Sequence, residues 1–519
     1  MEGRKSFYIT TPIYYVNDRP HIGHAYTTLA CDVLARFKRL DGFDVKFLTG
    51  TDEHGQKVEK SARAVSLTPR VFTDQVSQNF YDLMQLMGFS NDDFIRTTEP
   101  RHLRSCQALW NELVRRDQIY LGCYAGWYSV RDEAFWREDE LKDGPGGIPL
   151  APTGAAVEWV EEPSYFFRLS HWQEPLLQLY DHRPDFIVPD SRRNEVISFV
   201  RMGLTDLSVS RTTFTWGISV PGDADHVMYV WLDALTNYIT AAGYPDTTGH
   251  TFTRYWPADL HMVGKDIVRF HTVYWPALLM AAGLDLPKRV FAHGWWTNEG
   301  IKISKSLKNS IDPIELVKQY GLDSVRYFLL REIPFGNDGN FSHRAMVNRI
   351  NGELANELGN LAQRVLSFIR RYCTARVPEP GPRTASDDEL LVAAYQLLEQ
   401  VRLAIERQAF HEALDIIWGV VRRSNIYVDR QAPWILRRTD PKRMATVLYI
   451  LAETLRHLAL MMVPFLPCSA ACLLDQLAII ADARTFAALG PDGALTPGTL
   501  LPKPHGIFPR LAMTPSLKG

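Results

Sequence analysis

The 519-residue chain predicts an α/β fold: a parallel-sheet domain, interrupted by an insert and followed by an all-α helix bundle. Three observations carry this. First, "SFYITTPIYYV" (6–16) and "DVKFLTG" (44–50) are β-rich, and residues 24–40 between them place Leu29, Val33, Leu34 and Phe37 at helical spacing. Strand, helix, strand over so short a span is a βαβ unit, which implies parallel pairing. Second, from about residue 120 to 220 aromatics, turns and the cluster "DGPGGIP" displace that alternation, and "HMVGKDIVRFHTVYWPALLMAAG" (261–283) restores it. Third, beyond Phe341 the period is helical. Leu354, Leu358, Leu361, Val365 and Phe368 recur at alternating steps of four and three, a proline-rich link "VPEPGP" (377–382) follows, and helical patterns resume at 388–409 and 444–463.

A chain this long exceeds one core, so two or three domains are expected. Net charge is −2, which excludes a general polycation. The balance is uneven: residues 346–519 hold 20 Lys+Arg against 16 Asp+Glu, a net of +4, and the remainder carries −6. A modestly basic C-terminal part is compatible with a polyanionic partner. The six cysteines (Cys31, Cys106, Cys123, Cys373, Cys468, Cys472) are scattered without a C-x-x-C pair, which argues against a disulfide framework and a thiolate zinc site. The N-terminal "MEGRKSFYITTP" has no apolar signal core. The uncharged run 458–474 contains two prolines and falls short of the ~20 residues of a spanning helix. A cytosolic protein without a membrane partner is expected.

Two short segments carry chemistry. In "PHIGHAYTT" (20–28), His21 and His24 flank Gly23 just past a strand, where a helix begins. A helix N-terminus with free N–H groups and two imidazoles suits anionic oxygens, and the glycine lets a flat ring approach the backbone. Read alone, the turn fits capping histidines without a ligand equally well. In "IKISKS" (301–306), Lys302 and Lys305 sit in a glycine-flanked loop that could close over a triphosphate; a solvated basic loop is the commoner fate of such a segment. In parallel sheets ligands bind at the carboxyl ends of strands, where both "PHIGH" and "TGTDEHG" fall.

The ordered pair "HIGH … KISKS" resembles the two signatures of class I aminoacyl-tRNA synthetases, with Ile303 in place of the usual methionine. "YYVNDRPHIGH", "TGTDEHGQK", "YVWLDALTNY", "GKDIVRFH" and "QAPW" extend the resemblance over nearly the whole chain, and to the methionyl-tRNA synthetase family in particular. The resemblance implies a Rossmann-like parallel-sheet catalytic domain with an inserted connective domain. It implies catalytic halves at 1–118 and 226–300, an inserted connective domain at 119–225, a KISKS loop and stem-contact junction at 301–345, and a helical anticodon-binding domain at 346–519. It implies activation of methionine with ATP to methionyl-adenylate and transfer to the 3′ end of tRNA(Met).

Residue by residue, it implies a methionine pocket of Ile13, Tyr15, Trp231, Ala234, Leu235, Tyr238, Ile267 and His271, with Asp52 holding the substrate ammonium. A thioether suits such an aromatic slot, and an acceptor-only carboxylate suits an ammonium. For ATP it implies Gly23 under the adenine, His21 and His24 on the phosphates, Gly264 and Asp266 on the adenosine, and Lys302 and Lys305 on the outer phosphates. Magnesium is expected to arrive with ATP. Asn360, Arg364 and Trp434 match the family's anticodon readers; on bare sequence they read as an ordinary polar pair and a buried tryptophan.

Many relatives carry zinc knuckles in the insert, whereas here that region offers only Cys123, so it is expected to hold no metal and to rest on Tyr124, Trp127, Tyr128, Phe135 and Trp136. With the helical part running to the last residues given, no appended dimerising module of the kind some relatives carry is expected, and a monomer is expected. Two competing readings are another class I synthetase and an adenylylating nucleotidyltransferase that needs no RNA. The insert is short for an editing domain, and the helical readers have no use in the second.

Overall fold

The computed structural model describes residues 3–16, 19–132, 134–303 and 309–512, without the side chains of residues 124, 162 and 302. They fall into two compact units, one of Ser6–Cys31 with Val45–His293, the other of Asp32–Asp44 with the chain from Gly294 on.

The first unit is built on a seven-stranded sheet. Its order is Ile187–Val188, Val290–His293, Leu260–Gly264, Ser6–Thr10, Asp44–Asp52 and Tyr14–Tyr15, with Asp93–Arg96 also paired to Asp44–Asp52. Parallel registers set Ile9 against Leu260, His261 against Val290, Tyr15 against Asp52 and Gly50 against Ile95. Asp44–Asp52 is buried on both faces for its last six residues, the near-continuous burial expected of a covered parallel strand. The β-rich run 6–16 is two strands rather than one. Thr11 still donates its N–H to the Leu48 carbonyl (3.0 Å), but Pro12 has no N–H to continue the ladder. The expected helix forms as Ile22–Leu40, with Leu29, Val33, Leu34 and Phe37 buried.

The span 119–225 is not one uninterrupted insert. Ile119–Ser129 and Glu158–Phe167 form a long antiparallel pair, edged by Ala134–Trp136 and Leu207–Ser208. Between the helices Gln173–His182 and Asp190–Arg201, however, Ile187–Val188 returns to the parallel sheet beside Val290–Phe291. A two-residue strand leaves no period in the sequence. In the antiparallel part Trp127 meets Trp159 edge-on (5.3 Å) and Tyr128 packs on Phe135 (4.7 Å). Trp127 and Trp136 also cover a small core of Ala151, Ala155 and Val157. The side chain of Tyr124 lies outside the described residues, and Trp159 joins the aromatic set unpredicted.

The second unit is mainly helical, with a small sheet of Trp296–Asn298, Ile301–Lys302 and Gly339–Phe341. His343–Arg349 runs through wider π-helical turns, Ile350–Gly359, into Asn360–Tyr372. Ala385–Tyr395 and Leu397–Glu406 break at Gln396 what the pattern 388–409 predicted as one helix. Phe410–Gln431 and Pro441–Met462 are the longest members and bury Trp418, Leu451, Leu455 and Leu458. Pro441–Met462 is long and apolar enough to cross a membrane, but it is almost wholly buried within the fold and is a core helix. Arg326 and Asp32 pair fully buried at 2.7 Å, and the guanidinium also donates to the carbonyls of Pro464 (3.0 Å) and Phe465 (2.9 Å), which satisfies it without water. The proline-rich link is pinned through Val377, whose N–H donates to the Thr499 carbonyl (2.9 Å).

Candidate active site

Past the strand Tyr14–Tyr15, the helix Ile22–Leu40 opens with a folded-back turn. The His21 N–H donates to His24 Nδ1 (3.1 Å), the Gly23 N–H donates to His21 Nδ1 (3.1 Å), and the two rings lie 3.9 Å apart. His24 packs edge-on to Tyr14 (4.8 Å) and Phe80 (5.2 Å). Burial, aided by His21, pushes its imidazole well below the usual range, so it serves as a neutral hydrogen-bonding group. A Cβ on Gly23 would stand 2.9 Å from His21 Cε1, so the turn in this form needs glycine.

This turn is tied to the other strand ends. Thr27 Oγ1 donates to the Gly23 carbonyl (3.0 Å) and lies 2.7 Å from Nε2 of His293, the last residue of Val290–His293. Gly264 ends the neighbouring strand; a Cβ there would meet His293 Cε1 at 4.0 Å and Asp266 Oδ1 at 2.5 Å. Thr27 thus links the Gly23 turn to His293, and Gly264 with Asp266 follows the end of the strand beside His293.

The helix Val230–Ala242 presents Trp231, Ala234, Leu235 and Tyr238 at steps of three, four and seven, one helical face. Tyr238 Oη lies 2.6 Å from His271 Nε2, and His271 Nδ1 lies 2.9 Å from the Ile267 carbonyl. A carbonyl only accepts, so Nδ1 carries the proton and Tyr238 donates to Nε2. The other face of Tyr238 stacks on His261 (4.1 Å). That ring receives the Trp275 indole N–H (3.3 Å) and bonds Thr10 Oγ1 (2.8 Å). Trp231 stacks flat on Phe270 (3.6 Å, 6°) and stands perpendicular to His271. Ile13, Tyr15, Trp231 and Ile267 are half-buried against the core that holds Leu235 and Tyr238. Six predicted pocket residues therefore belong to or pack on one apolar cluster, and His271 joins it through its bond to Tyr238. Asp52 is 7% exposed at the carboxyl end of its strand, in register with Tyr15, and its carbonyl accepts the Val16 N–H (3.1 Å).

Burial holds His261 well below the usual imidazole range and His271 down at about 4. Both are neutral in the fold, whereas an unfolded chain protonates them near ~6.5. Their stabilising contribution is complete above ~6.5 and is lost as pH falls towards 4, by roughly 1.4 kcal/mol per pH unit for each group. The thermal midpoint is expected to be lower at pH 5 than at pH 7; an unchanged or higher midpoint at pH 5 contradicts the neutral pair.

In the helical unit, Asn360 and Arg364 are exposed one turn apart on Asn360–Tyr372. The Arg364 guanidinium stands 5.6 Å from the Trp434 ring and pairs with Asp429 at 2.8 Å. Trp434 is 39% exposed, not buried as its type alone suggests. Lys302 ends the strand Ile301–Lys302; its side chain and all of Lys305 lie outside the described residues.

A family model for class I tRNA synthetases, of the group marked M, matches residues 7–145 and 150–366, and one for the anticodon-binding domain of methionyl-tRNA ligase matches 377–513. The chain belongs to the methionyl-tRNA synthetase family. The methionine–tRNA ligase of Mesorhizobium japonicum is 56% identical over 512 residues, covering 99% of each chain. That of Rickettsia conorii is 56% identical over 509 residues, covering 97% of this chain and 99% of its own. The Mycobacterium tuberculosis methionyl-tRNA synthetase in complex with methionyl-adenylate superposes with a TM-score of 0.95 at 52% identity, over 98% of this chain and 100% of that one. The α/β sheet, the helical bundle and the activity of a methionine–tRNA ligase are thereby established.

Within this synthetase, three neighbours of the candidate site escaped the sequence reading. Thr27 lies one turn after His24 and was available from helical spacing. Phe270 adjoins His271 in the quoted motif but has no chemistry to flag it. His293 reaches Thr27 across 266 residues, and nothing local announces that.

Proposed function

We propose that this methionine–tRNA ligase runs both steps with the residues named above. The thioether lies against Trp231, Tyr238 and Leu235, and the ammonium pairs with Asp52. The adenine rests on Gly23, the ribose lies by Gly264 and Asp266, and the phosphates meet His21, His24, Lys302 and Lys305. The methionine carboxylate attacks the α-phosphorus in line. The bond to the bridging oxygen breaks, and pyrophosphate leaves with that electron pair. The terminal ribose hydroxyl of tRNA then attacks the acyl carbon, and AMP departs. No side chain forms a covalent bond; placement and preorganised donors lower the barrier. Supporting this reading are the Thr27 link between the Gly23 turn and His293, the Gly264 strand end beside it, and a neutral histidine at the helix start.

Magnesium enters on the triphosphate. The described groups at the turn are imidazoles and amide N–H groups, not the hard oxygens that would cage it. The insert's lone thiol, Cys123, cannot complete a tetrahedral zinc site, so we place no structural zinc there. The helices from residue 346 on read the anticodon through Asn360, Arg364 and Trp434, and the enzyme works in the cytoplasm. ATP–pyrophosphate exchange is the test. It is expected to require methionine and magnesium, and to persist after treatment with a zinc-selective chelator. Exchange independent of methionine rejects the pocket, and loss with the chelator rejects the zinc-free insert.

A further inference from the structure

Three titratable side chains meet behind the methionine pocket and play no part in the steps above. Asp233, 1% exposed, faces away from Trp231 and Ala234 on the same helix. Its Oδ2 accepts from Nδ1 of His54 at 2.7 Å, and its Oδ1 accepts from Nε2 of His102 at 2.7 Å. His102 comes from the helix Pro100–Arg115, where Cys106 Sγ approaches the same Nε2 at 3.2 Å.

His54 closes the segment "TDEH", two residues after Asp52. Every other part of that segment is held too. The Glu53 carboxylate receives Arg96 Nε (2.6 Å) and Thr98 Oγ1 (2.6 Å). The Glu53 carbonyl accepts the Trp216 indole N–H (2.6 Å), and the His54 carbonyl accepts the Tyr15 hydroxyl (3.1 Å). Across the pocket, the His54–Asp233 bond ties the segment to the helix that carries Trp231, Ala234, Leu235 and Tyr238.

We propose that Asp233 is a positioning residue for methionine: through His54 it fixes the Asp52 segment against the pocket helix, while His102 holds its second oxygen. The distance between ammonium anchor and side-chain slot is then set by a buried hydrogen bond to a carboxylate rather than by loop packing. Substrate discrimination needs such a fixed distance, because a displacement of about 1 Å at a reacting group can cost 10²-fold in rate. The inference rests on Asp52 as the ammonium anchor.

A metal bound by His102, Cys106 and Asp233 is the rival reading of the same cluster. The geometry speaks for hydrogen bonds. Zinc at ~2.0–2.1 Å from both a nitrogen and an oxygen in tetrahedral array would hold those atoms roughly 3.3 Å apart, whereas His102 Nε2 and Asp233 Oδ1 are 2.7 Å apart. Against burial, which acts the other way, the two imidazoles hold the Asp233 carboxyl below its usual range, so it stands as an accepting carboxylate.

The test uses the full-length enzyme with Asp233→Asn, His54→Gln and His54→Ala, in methionine-dependent exchange. The KM for methionine is expected to rise about tenfold or more in Asp233→Asn and His54→Ala, with the KM for ATP within about twofold. Inhibition by methioninol, which keeps the ammonium, should weaken in step. Inhibition by 4-(methylthio)butanoate, which lacks it, should not. His54→Gln, whose amide can still donate to Asp233, should recover most of the affinity; this pair carries the test should Asp233→Asn fail to fold. Equal weakening of both inhibitors, equal shifts in the two KM values, His54→Gln no better than His54→Ala, or one tightly bound metal per chain each overturn the proposal. Asp52→Ala runs alongside: intact methionine affinity there removes the anchor itself, while a loss there with a neutral Asp233→Asn removes only the clamp.

Discussion

Asp52→Ala is expected to lower kcat/KM for methionine in ATP–pyrophosphate exchange by about 10²- to 5 × 10³-fold, with the KM for ATP changed only a few-fold. The reasoning starts from the strand. Asp44–Asp52 is buried along its last six residues, and its carboxyl end delivers one carboxylate to the edge of the apolar cluster around Tyr238. In that setting an ammonium without a counter-charge is left desolvated, and removing one partner of such a pair costs about 3–5 kcal/mol. Asp52→Asn should fall between: it keeps an acceptor and loses the charge. Because the backbone of residue 52 still pairs with Tyr15 and Val16, the fold should survive, and the thermal midpoint should move little. Near-normal methionine activation by Asp52→Ala would remove it as the ammonium anchor.

What sequence alone reveals follows from the range of each interaction. The first βαβ unit is legible because its signals are local: the buried face of Ile22–Leu40 repeats every turn, and the strand Asp44–Asp52 opens with the β-rich Val45, Phe47 and Leu48. The helical unit is legible for the same reason. Breaks within elements are less so. Pro12 divides the first strand by lacking one N–H, and Gln396 divides a helix whose apolar period continues across it. Ile187–Val188 belongs to the parallel sheet only because Val290–Phe291 lies beside it, about a hundred residues on. The candidate site divides likewise. His21, Gly23 and His24 form one compact motif, whereas the links that assemble the site join Thr27 to His293 and His54 to Asp233. Those pairs are ordinary threonines, aspartates and histidines in sequence, and only tertiary contact gives them a role. Trp434 shows the reverse: residue type favours burial, and its exposure beside Arg364 is what makes it available.

That exposure leads to an effect confined to RNA. Trp434→Ala is expected to reduce kcat/KM for tRNA charging by roughly 5- to 150-fold, the equivalent of the ~1–3 kcal/mol of one base–aromatic stack. Exchange without tRNA should stay within about twofold of the parent, because an adenylate forms without the anticodon being read. The structure adds a constraint on how the residue works. Arg364 stands over the indole and is held by Asp429, so one face of Trp434 is backed by a cation while the ring remains open to solvent. An incoming base can therefore stack on the indole beside a guanidinium whose direction is already set, which lowers the entropy lost on binding. Arg364→Lys keeps the charge but loses the planar fork, and should cost charging efficiency while leaving exchange intact. Trp434→Phe should retain most of the charging activity, since a smaller aromatic face still stacks. If Trp434→Ala lowered charging and exchange by the same factor, the residue would be acting on the stability of the helical unit, and its role as an anticodon reader would fall.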